Sequence, residues 1–210
     1  MADWVTISSL ATAGGTLVLA VATFSSVKSA NRSARVAELS LMAGLRPVLI
    51  TSRDEDPVEQ VRFGDGQVLT VHGHGAAIEV ANDRLYMAIA LRNGGSGLSV
   101  IHGWRAEVAE RSDSVRPGLD EFRRQSRDLF IPAGDTGFWQ GAIRDRDDPM
   151  QEQLRAAIEG GARVIVDLMY GDYEGGQRTI ARFGLNAGSE GRRAEIIRYW
   201  NVDRPDPRER

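Results

Sequence analysis

The chain has 210 residues, 42% hydrophobic and 26% charged, with a net charge of −3 and a mean hydropathy of −0.28. Cysteine is absent, which excludes disulfides, thiolate metal sites, iron–sulfur clusters and cysteine nucleophiles. The mild negative charge gives no support to bulk nucleic-acid binding, and no nucleic-acid partner is expected. Lys28 is the one lysine among 26 basic residues, a bias that reads as G+C-rich coding rather than arginine chosen for recognition.

These averages hide an uneven distribution, because no charged side chain lies between Asp3 and Lys28. Residues 4–27 are apolar with interspersed Ser and Thr, and as a helix they reach across a bilayer core of about 30 Å. Their hydroxyls are tolerable there because each can bond to a carbonyl one turn back. A secretory signal is the competing reading, with residues 10–20 as its apolar region and Ala20-Val21-Ala22 as a cleavage motif. Such a signal needs a basic start, and the early charge here is Asp3, so a transmembrane helix is preferred. Lys28, Arg32, Arg35 and Arg46 follow the span. The positive-inside rule then puts the N-terminus outside and the remaining chain in the cytoplasm, single-pass in a bacterial cytoplasmic membrane. Trp4 would anchor the outer interface.

Residues 28–44 contain no proline and continue the helix as a juxtamembrane stalk, which Gly44 and Arg46-Pro47 bring to an end. A stripe of mostly small residues runs along the whole helix and includes Ala30, Ala34, Ala37 and Leu41 on the stalk. Small residues allow close helix packing, so these four are candidates for homodimerisation. The bland alternative is chance in an alanine-rich chain.

From residue 45 the hydrophobic period changes from helical to alternating. Strands are predicted over 48–52, 58–63, 67–72, 77–81, 85–93, 99–110, 129–131, 137–143, 163–170, 178–185 and 195–201. The stretch 85–91 is apolar on both faces, which suits a central strand. One internal helix is predicted over 150–159, with Asp148 as its cap, Pro149 at its first position and Gly160-Gly161 after it. Short strands with little helix favour a mainly β protein, an antiparallel β-sandwich over 45–202 with one short inserted helix. Residues 203–210, rich in proline and charge, are expected to be disordered.

Four stretches carry a resemblance: Leu45-Arg46-Pro47-Val48, Leu91-Arg92-Asn93-Gly94-Gly95-Ser96-Gly97, Ile131-Pro132-Ala133-Gly134 and Tyr170-Gly171-Asp172-Tyr173-Glu174-Gly175-Gly176. In these the chain resembles uncharacterised single-pass membrane-anchored bacterial proteins with a helical stalk and an immunoglobulin-like sandwich. The matching features are turns and strands, so the resemblance implies an architecture and no catalytic role.

Few residues suggest chemistry. His72-Gly73-His74 has metal-like spacing, with Glu79 and the distant His102 as further ligands, but the flanking glycines favour a turn. His102 shares a face with Val100 and Trp104 and reads as a core or rim histidine. The stretch from Arg92 to Gly97 looks like a phosphate loop, but a strand follows it where a helix is needed. Arg144-Asp145-Arg146-Asp147-Asp148 lacks the spacing of a calcium loop.

The basic group Arg116, Arg123, Arg124 and Arg127 occupies a long irregular stretch, 112–128, and could meet anionic headgroups or an acidic partner. Asp113, Asp120, Glu121 and Asp128 intersperse it, which favours local ion pairing. Trp139, if exposed, would anchor an interface; a lid over the core edge is an equal alternative. Arg123, Arg124, Arg127 and Trp139 are therefore the candidate interaction residues; no catalytic, metal or cofactor residue is assigned and no cofactor is expected. The preferred function is a membrane-tethered interaction or adaptor module with the bilayer and an unknown protein as partners, not an enzyme. The alternatives are a sensor binding a small molecule around His72, His74 and Trp139, or a hydrolase using those histidines with Asp135 or Asp145.

Overall fold

A computed structural model of the chain describes residues 3–109, 115–188 and 191–206. The chain divides into two compact units, Met1–Gly44 and Leu45–Arg210.

The first unit is one helix, α1 (Trp4–Gly44), whose 41 residues give a length of about 60 Å. It is long and apolar enough to cross a membrane. Leu10, Leu17, Val18, Leu19, Val21 and Phe24 are all exposed along it. The hydroxyls of Thr12, Thr16 and Thr23 donate to the carbonyls of Ser8, Thr12 and Leu19 at 2.8–2.9 Å, so these side chains leave no hydroxyl proton unpaired. Ala30, Ala34, Ala37 and Leu41 are exposed on the stalk half.

The second unit is mostly β. Its elements are β1 (Leu49–Thr51), β2 (Glu59–Arg62), β3 (Val68–Val71), β4 (Gly75–Ala81), β5 (Arg84–Asn93), β6 (Ser99–Val108), a short 3-10 turn (Leu119–Glu121), β7 (Arg123–Arg124), β8 (Phe130–Ile131), β9 (Thr136–Ile143), α2 (Pro149–Glu159), β10 (Val164–Gly171), β11 (Thr179–Gly188) and β12 (Gly191–Asn201). Each predicted strand is present with shifted ends, and β7 was not foreseen. Residue 110, the last of the expected sixth strand, lies outside the described residues. The inserted helix starts as expected, with the Asp148 carboxylate accepting from the Met150 N–H at 3.0 Å.

Ten strands form one antiparallel sheet in the order β1-β5-β4-β12-β11-β10-β6-β7, with β9 on β5 and β8 on β6. β4 and β1 share one edge of β5, in tandem along it, and β9 takes the other. β4 meets β12 through only Gly75–Ala76 and Arg192–Arg193. The path does not close: no ladder joins β9 to β7 among the described residues. Its two ends nonetheless meet through side chains, since Trp104 of β6 packs edge-on against Trp139 of β9 with ring centroids 5.5 Å apart. The main core lies around this pair and includes Leu85, Met87, Ile89 and Leu91 of β5, Val164, Val166 and Leu168 of β10, and Leu154 of α2.

The double-faced apolarity of β5 has a physical reason. Its second face, Tyr86, Ala88 and Ala90, is covered by the separate β2–β3 hairpin through Val61, Phe63, Leu69 and Val71. Across the far side of β6, β10, β11 and β12, the register aligns Arg105, Asp167, Arg182 and Arg198 in one row. Arg182 grips the fully buried Asp167 through two bonds of 2.8 and 2.9 Å, and Trp200 lies under Arg182 and Arg198.

Residues 203–206, the first part of the tail expected to be disordered, make defined contacts. Asp203 accepts from the Arg178 N–H at 2.7 Å and from its guanidinium at 2.6 Å, and Asp206 is buried. An aspartate placed beside a fixed arginine supplies the local partner that composition alone does not reveal. Residues 207–210 lie outside the described residues.

Candidate functional site

The arginines singled out in the sequence separate in space. Arg116 donates to the carbonyl of Asn201 at 3.3 Å, and Arg127 to that of Arg62 at 3.4 Å. Arg123 and Arg124 form β7, held to β6 by the pairs Trp104↔Arg123 and Gly103↔Arg124. The earlier part of their irregular stretch, 112–114, lies outside the described residues.

β7 and β9 are the two facing ends of the open sheet, and the seam between them is bridged by Gln125. Its backbone N–H donates to the His102 carbonyl at 2.9 Å, its Nε2 donates to the Gln140 carbonyl at 3.0 Å, and its Oε1 accepts from the Trp139 indole at 3.2 Å. Gly141 makes the aromatic packing there feasible, because a Cβ at this position would stand 2.5 Å from the Trp139 ring. Trp139 is thus fully buried and cannot serve as the exposed anchor considered from the sequence. Period-two alternation opposes Phe138 and Trp139, but it does not say which faces the core.

Above the seam lies a cleft of about 250 Å³ lined by Arg123, Arg124, Arg144, Ser126, Gln140, Phe63 and Trp104, among others. The Arg123 guanidinium sits 5.6 Å from the centre of the Trp104 ring and pairs with Asp148 at 2.7 Å. That hydrogen bond holds the Asp148 carboxyl below the usual range, with a smaller contribution from the Met150 N–H and against the opposing effect of burial. Arg144 pairs with Asp65 at 3.1 Å, and Asp65 also accepts from the Tyr86 hydroxyl at 2.8 Å. The Arg124 side chain has no hydrogen-bond or ion-pair partner among the described residues.

A second cleft, of about 810 Å³, contains His72, His74, Glu79, Asp54, Arg192 and Arg193 in its lining. The histidines belong to the turn between β3 and β4. His74 has a left-handed φ of 55°, and the Gly75 N–H donates to the His72 carbonyl at 3.0 Å. Arg193 pairs with Asp54 at 3.0 Å, and Glu79 accepts from Gln67 at 3.0 Å. No group of three metal-ligating side chains gathers here or elsewhere among the described residues. Asp135, Asp145 and Trp139 do not line this cleft, so the sensor and hydrolase constellations do not assemble. His102 lies elsewhere, on β6. Burial pushes its pKa down, the nearby Arg178 adds to this, and Asp172 opposes it.

The glycine-rich stretch from Arg92 to Gly97 is a clasp and not a phosphate loop. The Gly94 N–H donates to the Val48 carbonyl at 2.8 Å, and the Ser96 N–H to the Arg46 carbonyl at 3.2 Å. Any side chain at Gly97 would collide with the Leu45 carbonyl, and one at Gly95 with that of Arg46. Asn93, fully buried, accepts from the N–H groups of Val48 and Gly95 and donates to the carbonyls of Gly97 and Ile131. Nearby, Leu49 donates to the Tyr170 hydroxyl and accepts from that of Tyr199, while Arg46 bonds Thr179 and Asn201. Burial pushes the Tyr170 pKa up to about 12. The chain matches no protein-family model, and no curated protein matches it in sequence.

Proposed function

We propose that this is a single-pass protein of a bacterial cytoplasmic membrane, in which residues 4–27 span the bilayer and residues 28–44 form a stalk. The β unit then works as a cytoplasmic interaction module, and its arginine-bearing seam is the surface offered to a partner. The carrying observation is that none of the described side chains in the apolar half of α1 is buried, while the β unit has a core of its own. Leaving Leu17, Val18, Leu19, Val21 and Phe24 in water is unfavourable by roughly 25 cal/mol for each Å² of apolar surface, and a bilayer removes that cost. Lys28, Arg32 and Arg35 support a cytoplasmic position for everything after the span. The Trp104–Trp139 contact between opposite ends of the sheet supports a sandwich-like arrangement of its two halves.

Alkaline carbonate extraction tests the tether: the full chain stays in the pellet, and a Leu17→Arg, Val21→Arg variant moves to the supernatant. Retention of that variant would remove the reading. Because the chain has no cysteine, single-cysteine variants report topology without background. Asp3→Cys should react with an impermeant maleimide on intact cells, and Ser29→Cys should react only after lysis. The reverse pattern would invert the orientation.

A further inference from the structure

The seam cleft carries three features that its role in closing the core does not require. Among the described residues its lining includes three guanidinium groups and no carboxylate. Arg123 and Arg144 each spend contacts on one aspartate outside the lining, and a guanidinium has five N–H donors, so further donors remain on both. Arg124 contributes all of its own. Finally, Gln140 is more than nine-tenths buried in the cleft wall, with an Oε1 that has no hydrogen-bond partner among the described residues. A buried acceptor left unpaired is costly, and such orphans mark places where a ligand group supplies the missing donor.

We infer that this cleft binds the phosphate ester of a small polyol. A phosphate carries nearly two negative charges and three acceptor oxygens, which suit three arginines better than the two oxygens of a carboxylate do. The phosphate alone does not meet the requirement of Gln140, whose oxygen needs a donor. A hydroxyl beside the ester supplies it once the terminal amide, which turns about a soft torsion, brings Oε1 to the wall. The cleft, of about 250 Å³, has room for a phosphate and a short polyol. The Trp104 face is occupied by Arg123, so no base-stacking platform is offered there. This inference concerns the β unit alone and stands apart from the membrane reading.

The test uses the full chain purified in detergent micelles, with titration calorimetry and tryptophan fluorescence as readouts. Glycerol 3-phosphate is expected to bind at least about tenfold more tightly than inorganic phosphate or glycerol, the size expected from one added hydrogen bond within a charged set. Arg124→Gln, an exposed change that leaves the fold intact, should weaken it at least about tenfold. Gln140→Leu should erase the advantage of glycerol 3-phosphate over inorganic phosphate. Equal binding of those two probes to the unaltered chain overturns the proposal, as does unchanged affinity in Arg124→Gln. Competition identifies the source. Displacement by short-chain phosphatidylglycerol, and not by the matching phosphatidylcholine, assigns a lipid headgroup; no displacement by either assigns a free polyol phosphate.

Discussion

Two amide side chains hold the two critical joints of the β unit, and they do so differently. Asn93 sits at the clasp where the chain leaves the helix, fully buried, with four bonds that all go to main-chain groups. Gln125 sits at the seam, half-buried, and bonds one carbonyl and one indole. Main-chain bonds with glycines packed against them fix a single geometry, because neither side can repack around a change. Side-chain bonds across an unpaired edge leave a cleft and free arginine donors. The β unit is locked at the clasp and left adaptable where its sheet fails to close.

Substitution puts that contrast at risk, and Asn93→Ala is the most damaging change. It leaves several buried main-chain groups unpaired at about 1–3 kcal/mol each, so a loss above about 3 kcal/mol is expected in denaturant unfolding. A loss below about 1 kcal/mol would mean that the clasp is not locked. Gly97→Ala should cost about 1–3 kcal/mol through overpacking against the Leu45 carbonyl. Gln125→Ala should cost less, about 1 kcal/mol, since water can reach part of the seam. If it matched Asn93→Ala, the two joints would be equivalent.

A pH effect should be smaller still. Burial and Arg178 hold the His102 pKa below its ordinary value of 6.5 in the folded chain. Between the folded value and 6.5 the unfolded chain binds more protons, so stability falls as pH drops below about 6.5. Melting temperatures at about pH 7.5 and about pH 5.5 should therefore differ less in His102→Gln than in the unaltered chain. The least effect belongs to Arg124→Gln, within about 0.5 kcal/mol in unfolding. A large loss there would show that this arginine holds the seam together instead of waiting for a ligand.

The strands were legible because burial of one face imposes alternation, as in Leu69 and Val71 on either side of the exposed Thr70. The cap of α2 was legible because a capping aspartate followed by proline is a local chemical signal. β7 was not, since two exposed arginines on a two-residue edge show no period. The β2–β3 hairpin as a second layer was hinted at only by the apolar far face of β5. The seam needed long-range facts: that Gln125 reaches β9, that Trp139 points inward, and that Gly141 makes room for it. Arg123 and Arg124 were visible as a basic group, but their separation from Arg116 and Arg127 depends on which carbonyls those two reach.

The Asn93–Gly94 bond has one more implication, for how this protein ages. Asparagine before glycine readily cyclises when the glycine nitrogen attacks the side-chain amide carbon and expels ammonia. In the folded clasp that nitrogen is committed to the Val48 carbonyl and the amide is held by four bonds, so attack is blocked. Each local opening lifts the block, and hydrolysis of the ring leaves an acidic residue with no N–H to return to Gly97 and Ile131. The clasp would then fail to re-form, making this dipeptide a one-way record of how often the clasp has come undone.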